Sequence, residues 1–328
     1  MLVRLPPLAR LALGALVLIG LVWLAFGRSD DGGSTTEAGG TTTTTRPSPF
    51  GDAPTTGTGA ISIGGLALPI IGGTEGEWTV LTPCANEATV DGERLAGAHI
   101  VIDPGHGGRE TGAIGPSGLV EAEVNLDVAG RTATKLEALG ATVVLTRTDD
   151  TRVTLQTRVA IARALDPLLF ISIHHNGGPT TRSPRPGVQV YHQHQTPAAA
   201  RFAGVLFENL LEAFAPFSDE WSGGNATGVR ARLGDDGGDF YGVLRGAEDV
   251  PAVLAEALYM SEEPEATLLL QDDVREAEAQ AIADAVVAWL ESPYAGSGYL
   301  PPLVASESAG GGGGAAGCED PEELRTPA

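Results

Sequence analysis

HIVIDPGHGG, residues 99–108, begins as a short apolar run and ends in a loop of proline and glycine around one histidine. A short apolar run that stops at a Pro-Gly pair is typical of a buried strand. The proline and the three glycines of the loop allow a tight backbone path that presents the imidazole of His106. We therefore predict a strand over His99–Asp103 with a functional histidine just beyond its carboxyl end.

Helical and extended patterns alternate on the carboxyl side of this strand. The further predicted strands are Ala141–Thr146, Leu168–His174, Gly187–His192 and one within Pro251–Tyr259. The predicted helices are Glu123–Leu139, one capped by Thr154 that ends at Leu165, Pro197–Phe214 and Asp272–Glu291. Strands that alternate with helices favour a mostly parallel sheet with helices on both faces. We predict an α/β fold with a single catalytic domain over residues 96–292 and disordered flanks.

The amino-terminal end has the composition of a targeting segment. Arg4 and Arg10 precede an apolar run from Leu11 to Phe26, and polar residues follow it. The order basic, apolar, polar predicts that residues 1–28 are a signal peptide or an uncleaved membrane anchor. Both alternatives stay open, and in both the rest of the chain lies outside the cytoplasm, in the cell envelope or secreted.

Three further segments flank or precede the catalytic domain. Residues 29–59 are rich in Gly, Ser, Thr and Pro, and they predict a disordered linker. Residues 60–95 regain apolar residues and predict short accessory strands. Residues 293–328 contain a Gly/Ala-rich stretch with acidic residues after it, and they predict a low-complexity acidic tail.

Charge and cysteine content narrow the class of protein. The formal net charge of −22 argues against a nucleic-acid partner, because binding to phosphate backbones depends on clustered Lys and Arg. The two cysteines, Cys84 and Cys318, form no CxxC motif, so a cysteine-based structural zinc site is not expected. In an exported chain these two cysteines can pair in a disulfide, and the sequence leaves that pairing open.

Residues suited to metal chemistry cluster at the predicted edge of the sheet. His106 follows the first strand, Glu121 stands just ahead of the next helix, and His174 lies near the end of a later strand. In such a sheet, ligands bind outside the carboxyl ends of the strands. Two imidazoles and one carboxylate are a three-ligand set for a catalytic zinc ion, with the fourth position open to water. The sequence therefore predicts one Zn²⁺ at this edge.

Five motifs in order make the pattern more specific. They are IDPGHGG (102–108), GLVEAEVNL (118–126), Thr146-Arg147, SIHHN (172–176) and VPAVLAE (250–256). Over residues 98–290 the chain resembles the zinc-dependent N-acetylmuramoyl-L-alanine amidases of the amidase 3 family. The resemblance implies His106, Glu121 and His174 as zinc ligands and Glu256 as the catalytic acid/base.

The resemblance also implies an activity and a partner. The expected reaction is hydrolysis of the amide bond between N-acetylmuramic acid and L-alanine in peptidoglycan, in cell-wall remodelling, daughter-cell separation or turnover. We expect a monomer with peptidoglycan as its partner. Arg245 is a candidate for holding a substrate carboxylate because its planar guanidinium fits that shape, although a surface ion pair would explain it equally well. Asn176 is a second candidate for substrate binding.

Some alternatives remain open at this point. His175 follows His174 where the family usually has a small residue, so the ligand is either of the two, and strand alternation lets only one of them face the site. The motif favours His174. The ligand set also suits a zinc peptidase that cuts within the stem peptide, and a non-catalytic wall-binding homologue is the third reading.

Overall fold

The structure is a computed structural model that describes residues 48–178, 181–218, 221–222, 227–305 and 313–324. The predicted signal or anchor at residues 1–28 lies outside the described residues, as does the predicted linker up to residue 47. Among the residues that are described, no helix is both long enough and apolar enough to cross a membrane.

Residues 60–95 form an antiparallel sheet of their own. Its strands are β1 (Ala60–Ile63), β2 (Leu66–Thr74), β3 (Glu77–Leu81), β4 (Glu87–Val90) and β5 (Arg94–Leu95). They lie in the order β4-β3-β2-β1-β5. Their inward side chains, such as Ile61, Leu68 and Val80, form a small apolar cluster that also includes Leu324 from the carboxyl-terminal segment.

Around a second sheet, the remaining elements build the larger part of the fold. Its strands are β6 (Ile100–Pro104), β7 (Val143–Leu145), β8 (Leu169–Asn176), β9 (Gln189–His192), β10 (Gly228–Arg230), β11 (Arg232–Leu233), β12 (Ala252–Tyr259) and β13 (Leu303–Val304). Its helices are α1 (Glu121–Ala138), α2 (Leu155–Leu165), α3 (Pro197–Phe214), α4 (Gly242–Gly246), α5 (Glu265–Leu268) and α6 (Asp272–Glu291). The side chain of Thr154 caps α2 by accepting a hydrogen bond from the backbone N–H of Thr157, as the sequence predicts.

The central sheet has the order β10-β9-β12-β8-β6-β7. Every neighbouring pair runs parallel except β9 and β12, which are antiparallel. The carboxyl ends of β6, β7, β8 and β12 therefore meet at one edge. This arrangement confirms the predicted α/β class.

Each strand divides its side chains between two apolar cores, because successive residues of a strand point to opposite faces. Ile171 and Ile173 of β8 pack in the core that contains α1, α3 and α6. Phe170 packs in the other core, with residues of α2 and α4. The same alternation decides which face of β8 each of its two histidines occupies.

The carboxyl-terminal segment 313–324 is bonded to residues 82–84, which follow β3. A disulfide joins Cys84 to Cys318, with an S–S distance of 2.03 Å. The carboxylate of Asp320 accepts hydrogen bonds from the Thr82 hydroxyl at 2.8 Å and from the Cys84 backbone N–H at 2.9 Å. The pairing that the sequence leaves open is therefore present, and it joins residue 318 of the predicted acidic tail to Cys84.

Candidate metal centre and active site

The loop after β6 places the imidazole of His106 over the edge of the sheet. His106 has φ of 62°, a left-handed conformation that is uncommon for a residue other than glycine. The preceding Gly105 passes so close to His174 that an added Cβ would lie 2.2 Å from the ring. The loop therefore requires glycine at 105 in order to bring the two imidazoles together.

Two buried arginines hold the backbone of this loop. Arg147 donates to the carbonyl oxygens of Pro104 at 3.0 Å and Gly105 at 2.9 Å. Arg158, on α2, donates to the carbonyls of Pro104 at 2.8 Å and His106 at 2.5 Å. Carbonyl oxygens turned into the interior need such partners. The sequence motif contains Arg147, but nothing in it indicates that Arg158 has this role.

Asp103 completes the support of the loop from within the sheet. Its carboxylate accepts hydrogen bonds from the hydroxyls of Thr146 at 2.6 Å and Ser172 at 2.7 Å, and it forms an ion pair with Arg158. Burial acts to raise the pKa of Asp103, but the charge of Arg158 and these donors outweigh it, so the pKa lies below its ordinary value. Asp103 is thus an ionised internal anchor.

Three candidate ligands converge at this edge. Glu121 Oε1 lies 3.2 Å from His106 Nε2 and 3.0 Å from His174 Nδ1. One ligand atom from each of the three residues lies within 4.8 Å of the others. Within the part of the chain that the structure describes, no other group of three His, Cys, Asp or Glu side chains is placed to hold a metal ion. The structure thus brings together the three ligands proposed from the sequence.

The first residue of α1, Glu121, is held in place by backbone donors. Its Oε2 accepts from the N–H of Ala113 at 2.8 Å, and its Oε1 accepts from the N–H of His175 at 3.2 Å. A Cβ on Gly112 would lie 2.4 Å from Glu121 Oε2, so the chain needs glycine there as well. Burial alone would raise the pKa of Glu121. Its bonds to His106 and His174 lower the pKa by more, so the pKa lies below its ordinary value. An ionised carboxylate is the form that binds metal.

Glu256 stands beside this ligand set on the neighbouring strand. In the parallel pairing of β12 with β8 it lies opposite His174, so both side chains point to the same face. Its Oε2 atom is buried and has no hydrogen-bond partner. Burial and the nearby charge of Glu121 raise the pKa of Glu256 well above its ordinary value, while Arg232 opposes the rise. A buried, unpartnered carboxylate oxygen on the same face as His174 fits a site that takes a metal ion and a water molecule.

Comparison with known proteins identifies the family. The family model Amidase_3, described as N-acetylmuramoyl-L-alanine amidase, matches residues 100–288. The chain belongs to this amidase family. The matched region begins at β6 and ends within α6, so it contains all four residues of the site.

Individual relatives agree with the family match. LytC of Bacillus subtilis (strain 168), an N-acetylmuramoyl-L-alanine amidase, is 36% identical over 67% of this chain and 40% of its own length. AmiC of Neisseria meningitidis serogroup B, also an N-acetylmuramoyl-L-alanine amidase, is 33% identical over 59% of this chain and 53% of its own. The chain thus spans about half or less of these two relatives.

Solved structures share the fold of the amidase domain. Cwp6 from Clostridium difficile matches with a TM-score of 0.51 and 28% identity, over 58% of this chain and 29% of that chain. The apo form of Ami1, an N-acetylmuramyl-L-alanine amidase from Mycobacterium abscessus, matches with a TM-score of 0.50 and 21% identity, over 60% of this chain and 100% of that chain. The second likeness shows the fold alone.

His175 lies on the opposite face of the amidase sheet from His174. Its Nδ1 is 2.8 Å from Asn125 Oδ1, and its Nε2 is 3.1 Å from Glu278 Oε2. Both partners belong to the helices of the α1 and α6 face. Of the two histidines, only His174 reaches Glu121 and His106 through its side chain, so the geometry favours His174 as the proposed ligand.

The two candidates for substrate binding are engaged elsewhere. Asn176 donates to the carbonyl of Gly187 at 3.2 Å and to the carbonyl of Glu256 at 3.3 Å. Arg245 donates to the carbonyls of Asp239 at 2.6 Å and Phe240 at 3.1 Å. Neither residue lines the cavity that contains the ligand set. The contact of Asn176 with the Glu256 backbone makes it a support of β12.

The cavity at the amidase site has a volume of about 460 Å³. His106 and His174 form part of its wall, and so do Arg109 and Val243. Gly313, from the segment that the disulfide fixes, also lines it. A part of the chain beyond the matched family region therefore contributes to the walls of the site.

Proposed function

We propose that this chain is a zinc-dependent amidase that hydrolyses the bond between N-acetylmuramic acid and L-alanine in peptidoglycan. The observation that carries the proposal is the convergence of His106, Glu121 and His174 beside Glu256. The names of LytC and AmiC support the choice of bond, because both relatives are N-acetylmuramoyl-L-alanine amidases.

Zinc is the metal that this donor set suits best. Two imidazoles and one carboxylate with an open fourth position are typical of catalytic zinc sites, whereas Mg²⁺ and Ca²⁺ prefer oxygen ligands. A zinc ion held by His106, Glu121 and His174 would polarise the scissile carbonyl and lower the pKa of bound water to about 7. The buried Oε2 of Glu256, opposite His174 in the strand pairing and without a hydrogen-bond partner, supports this fit.

Glu256 is the residue that moves the proton. A water molecule gives a proton to the carboxylate of Glu256 as its oxygen attacks the carbonyl carbon. Glu256 then gives that proton to the alanine nitrogen as the C–N bond breaks, so that a carboxylic acid and a free amine are formed. Because burial raises the pKa of Glu256 above its ordinary value, its carboxyl group can hold the proton between the two steps.

An extracytoplasmic location fits this activity. Peptidoglycan lies outside the cytoplasmic membrane, and the Cys84–Cys318 disulfide is of a kind that persists in oxidising compartments. The signal or anchor proposed at residues 1–28 would deliver the domain there. A monomeric state, and contacts of Arg245 and Asn176 with substrate, remain predictions.

Mass spectrometry of peptidoglycan digests tests the proposal. We expect the purified protein to release intact stem peptides that begin with L-alanine, with the sugar strands left unbroken. Fragments cut within the stem peptide would instead show a peptidase. Binding to peptidoglycan without release of peptide, by a zinc-loaded protein, would show a non-catalytic homologue.

A further inference from the structure

A chain of buried polar side chains runs from α6 to the ligand Glu121. Glu278 on α6 is bonded to His175 on β8 at 3.1 Å, and His175 is bonded to Asn125 on α1 at 2.8 Å. Asn125 donates to Glu121 Oε1 at 3.4 Å. The exposed fraction is 1% for His175 and 0% for Asn125 and Glu278, so water does not compete for these bonds.

The direction of these bonds follows from the acceptors around Asn125. Its Nδ2 faces the carbonyl of Gly105 at 3.2 Å as well as Glu121 Oε1, and both are acceptors only. Its Oδ1 must therefore accept a hydrogen bond, which comes from His175 Nδ1. A reversed amide would place its oxygen against two other oxygens. A His175 ring that donates from Nδ1 stabilises this orientation, in which Asn125 donates to Glu121.

Glu278 in turn depends on His175. The carboxyl group of Glu278 lies in the apolar face of α6, and its Oε1 has no hydrogen-bond partner. His175 is the hydrogen-bond partner of Glu278 among the described residues. A buried carboxyl group is unfavourable unless it is bonded, so its place in this core is explained by the ring that it holds.

We infer that His175 and Glu278 are positioning residues that strengthen metal binding through Asn125 and Glu121. The inference rests on the proposed function in that it takes the metal site as real. Strand β8 then serves the site from both faces: His174 reaches the ligand set on one face, and His175 supports it from the other. Residues that orient metal ligands in this way commonly change metal affinity by about 10- to 100-fold when they are replaced.

Zinc affinity of the folded apoprotein, measured by competition with a chromophoric chelator, tests the inference without using activity. We expect His175→Ala and Glu278→Ala to weaken zinc binding by about tenfold. Glu278→Gln should stay within about threefold of the wild type, because a glutamine amide can donate to Nε2 or accept from it. This rescue separates positioning from a general loss of packing.

Val286→Ala is the matched control for folding. Val286 is fully buried on α6 in the apolar core and lies outside the polar chain, so its truncation removes core packing from the same helix while leaving Glu278 in place. Circular dichroism and thermal melting establish that each variant is folded. We expect Val286→Ala to lower the melting temperature and to leave zinc affinity unchanged.

A double variant tests whether His175 acts through Asn125. If it does, Asn125→Ala with His175→Ala should bind zinc no more weakly than Asn125→Ala alone, because the second change removes nothing further. Two losses that add would overturn the inference, as would unchanged affinity in His175→Ala and Glu278→Ala. A wild type that binds zinc but releases no peptide would refute the proposed function alone, and a wild type without zinc affinity would refute both.

Discussion

The loop after β6 needs glycine at position 105 because its backbone passes close to the ring of His174. The β6 loop carries no side chain where it passes the His174 ring, since an added Cβ would meet Cε1 and Nε2 at 2.2 Å. Real Cβ atoms do not come so close to ring atoms, so a side chain at 105 must displace the ring of His174, a proposed metal ligand. The glycine is therefore part of the ligand geometry.

Gly105→Ala should weaken zinc affinity by at least about tenfold, because the added Cβ displaces the His174 ring. The protein should stay folded, because that ring lies at the edge of the sheet. Gly130→Ala is the control: Gly130 lies within α1 and nothing stands within 4 Å of an added Cβ. Alanine in a helix interior is favoured over glycine by up to about 1 kcal/mol, so this control should be as stable as the wild type or more so. Chelator competition and denaturant unfolding measure the two effects. Equal zinc affinities in both variants would contradict the argument.

Glu256→Gln should keep zinc and lose turnover. Glutamine has nearly the same shape but cannot accept a proton, so the expected loss in kcat is about 10²- to 10⁴-fold. Metal analysis of the purified variant, beside peptide release from peptidoglycan, measures both. Glu121→Ala is the matched comparison and should lose zinc and turnover together. Turnover by Glu256→Gln near the wild-type rate would remove Glu256 from the mechanism.

At the scale of elements, the sequence predicts those helices and strands whose pattern lies within one short stretch of the chain. Helices α3 and α6 have the predicted bounds, because a long amphipathic period marks both ends. Strand β8 extends two residues beyond its predicted end, to Asn176, because Asn176 pairs with Tyr259 of the distant β12. The antiparallel direction of β9 and the short α4 and α5 leave no periodic signal. Those features depend on partners far along the chain.

The candidate site also contains residues that a local motif marks and residues that depend on distant partners. The proposed ligands His106, Glu121 and His174 lie in motifs, so the sequence is sufficient to propose them, and the structure places them close together. Arg158 and Glu278 act through contacts with residues 52 and 103 positions away, and no local pattern marks them. Sequence reasoning also proposed Arg245, whose guanidinium is bonded to backbone carbonyls away from the cavity.

Helix α5 joins three segments through one buried carboxyl group. Glu265 accepts from the backbone N–H of Gly187 at 2.8 Å, Ser222 at 2.9 Å and Tyr259 at 2.6 Å. Burial raises the pKa of Glu265 from 4.5 to about 7, although the three donors oppose the rise. The charge state of one side chain therefore affects the junction of the end of β12 with Ser222 and with the segment that precedes β9.

Stability should fall as this group ionises. The folded protein keeps the proton on Glu265 up to about pH 7, whereas the unfolded chain releases it near pH 4.5, so the folded state binds more protons in between. Its contribution to the free energy of unfolding therefore decreases as pH rises from 4.5 to 7, by roughly 3 kcal/mol at most. Denaturant unfolding at several pH values measures the slope. Glu265→Gln, which does not titrate, should make the slope less negative by this contribution, and an unaltered slope would contradict the assignment.

At the scale of the whole molecule, the disulfide connects parts of the chain that share no sheet. Cys84 follows β3 and Cys318 lies near the carboxyl end, at a sequence separation of 234. Arg152 adds to this connection by donating to the carbonyls of Gly314 and Ala316. Since Gly313 lines the site cavity, the cross-link also fixes one part of the cavity wall.

Removing the cross-link should therefore lower both stability and the order of that wall. We expect Cys84→Ser with Cys318→Ser to cost about 2 to 4 kcal/mol in the free energy of unfolding, because the open chain regains entropy in the unfolded state. The same double variant should raise KM more than it lowers kcat, since Gly313 lines the cavity while Glu256 and the metal ligands lie in the sheet domain. Denaturant unfolding with and without a thiol reductant measures the first effect, with the double variant as the control that the reductant leaves unchanged. Identical unfolding midpoints for the oxidised and reduced wild type would show that Asp320 and Arg152 hold the segment without the disulfide.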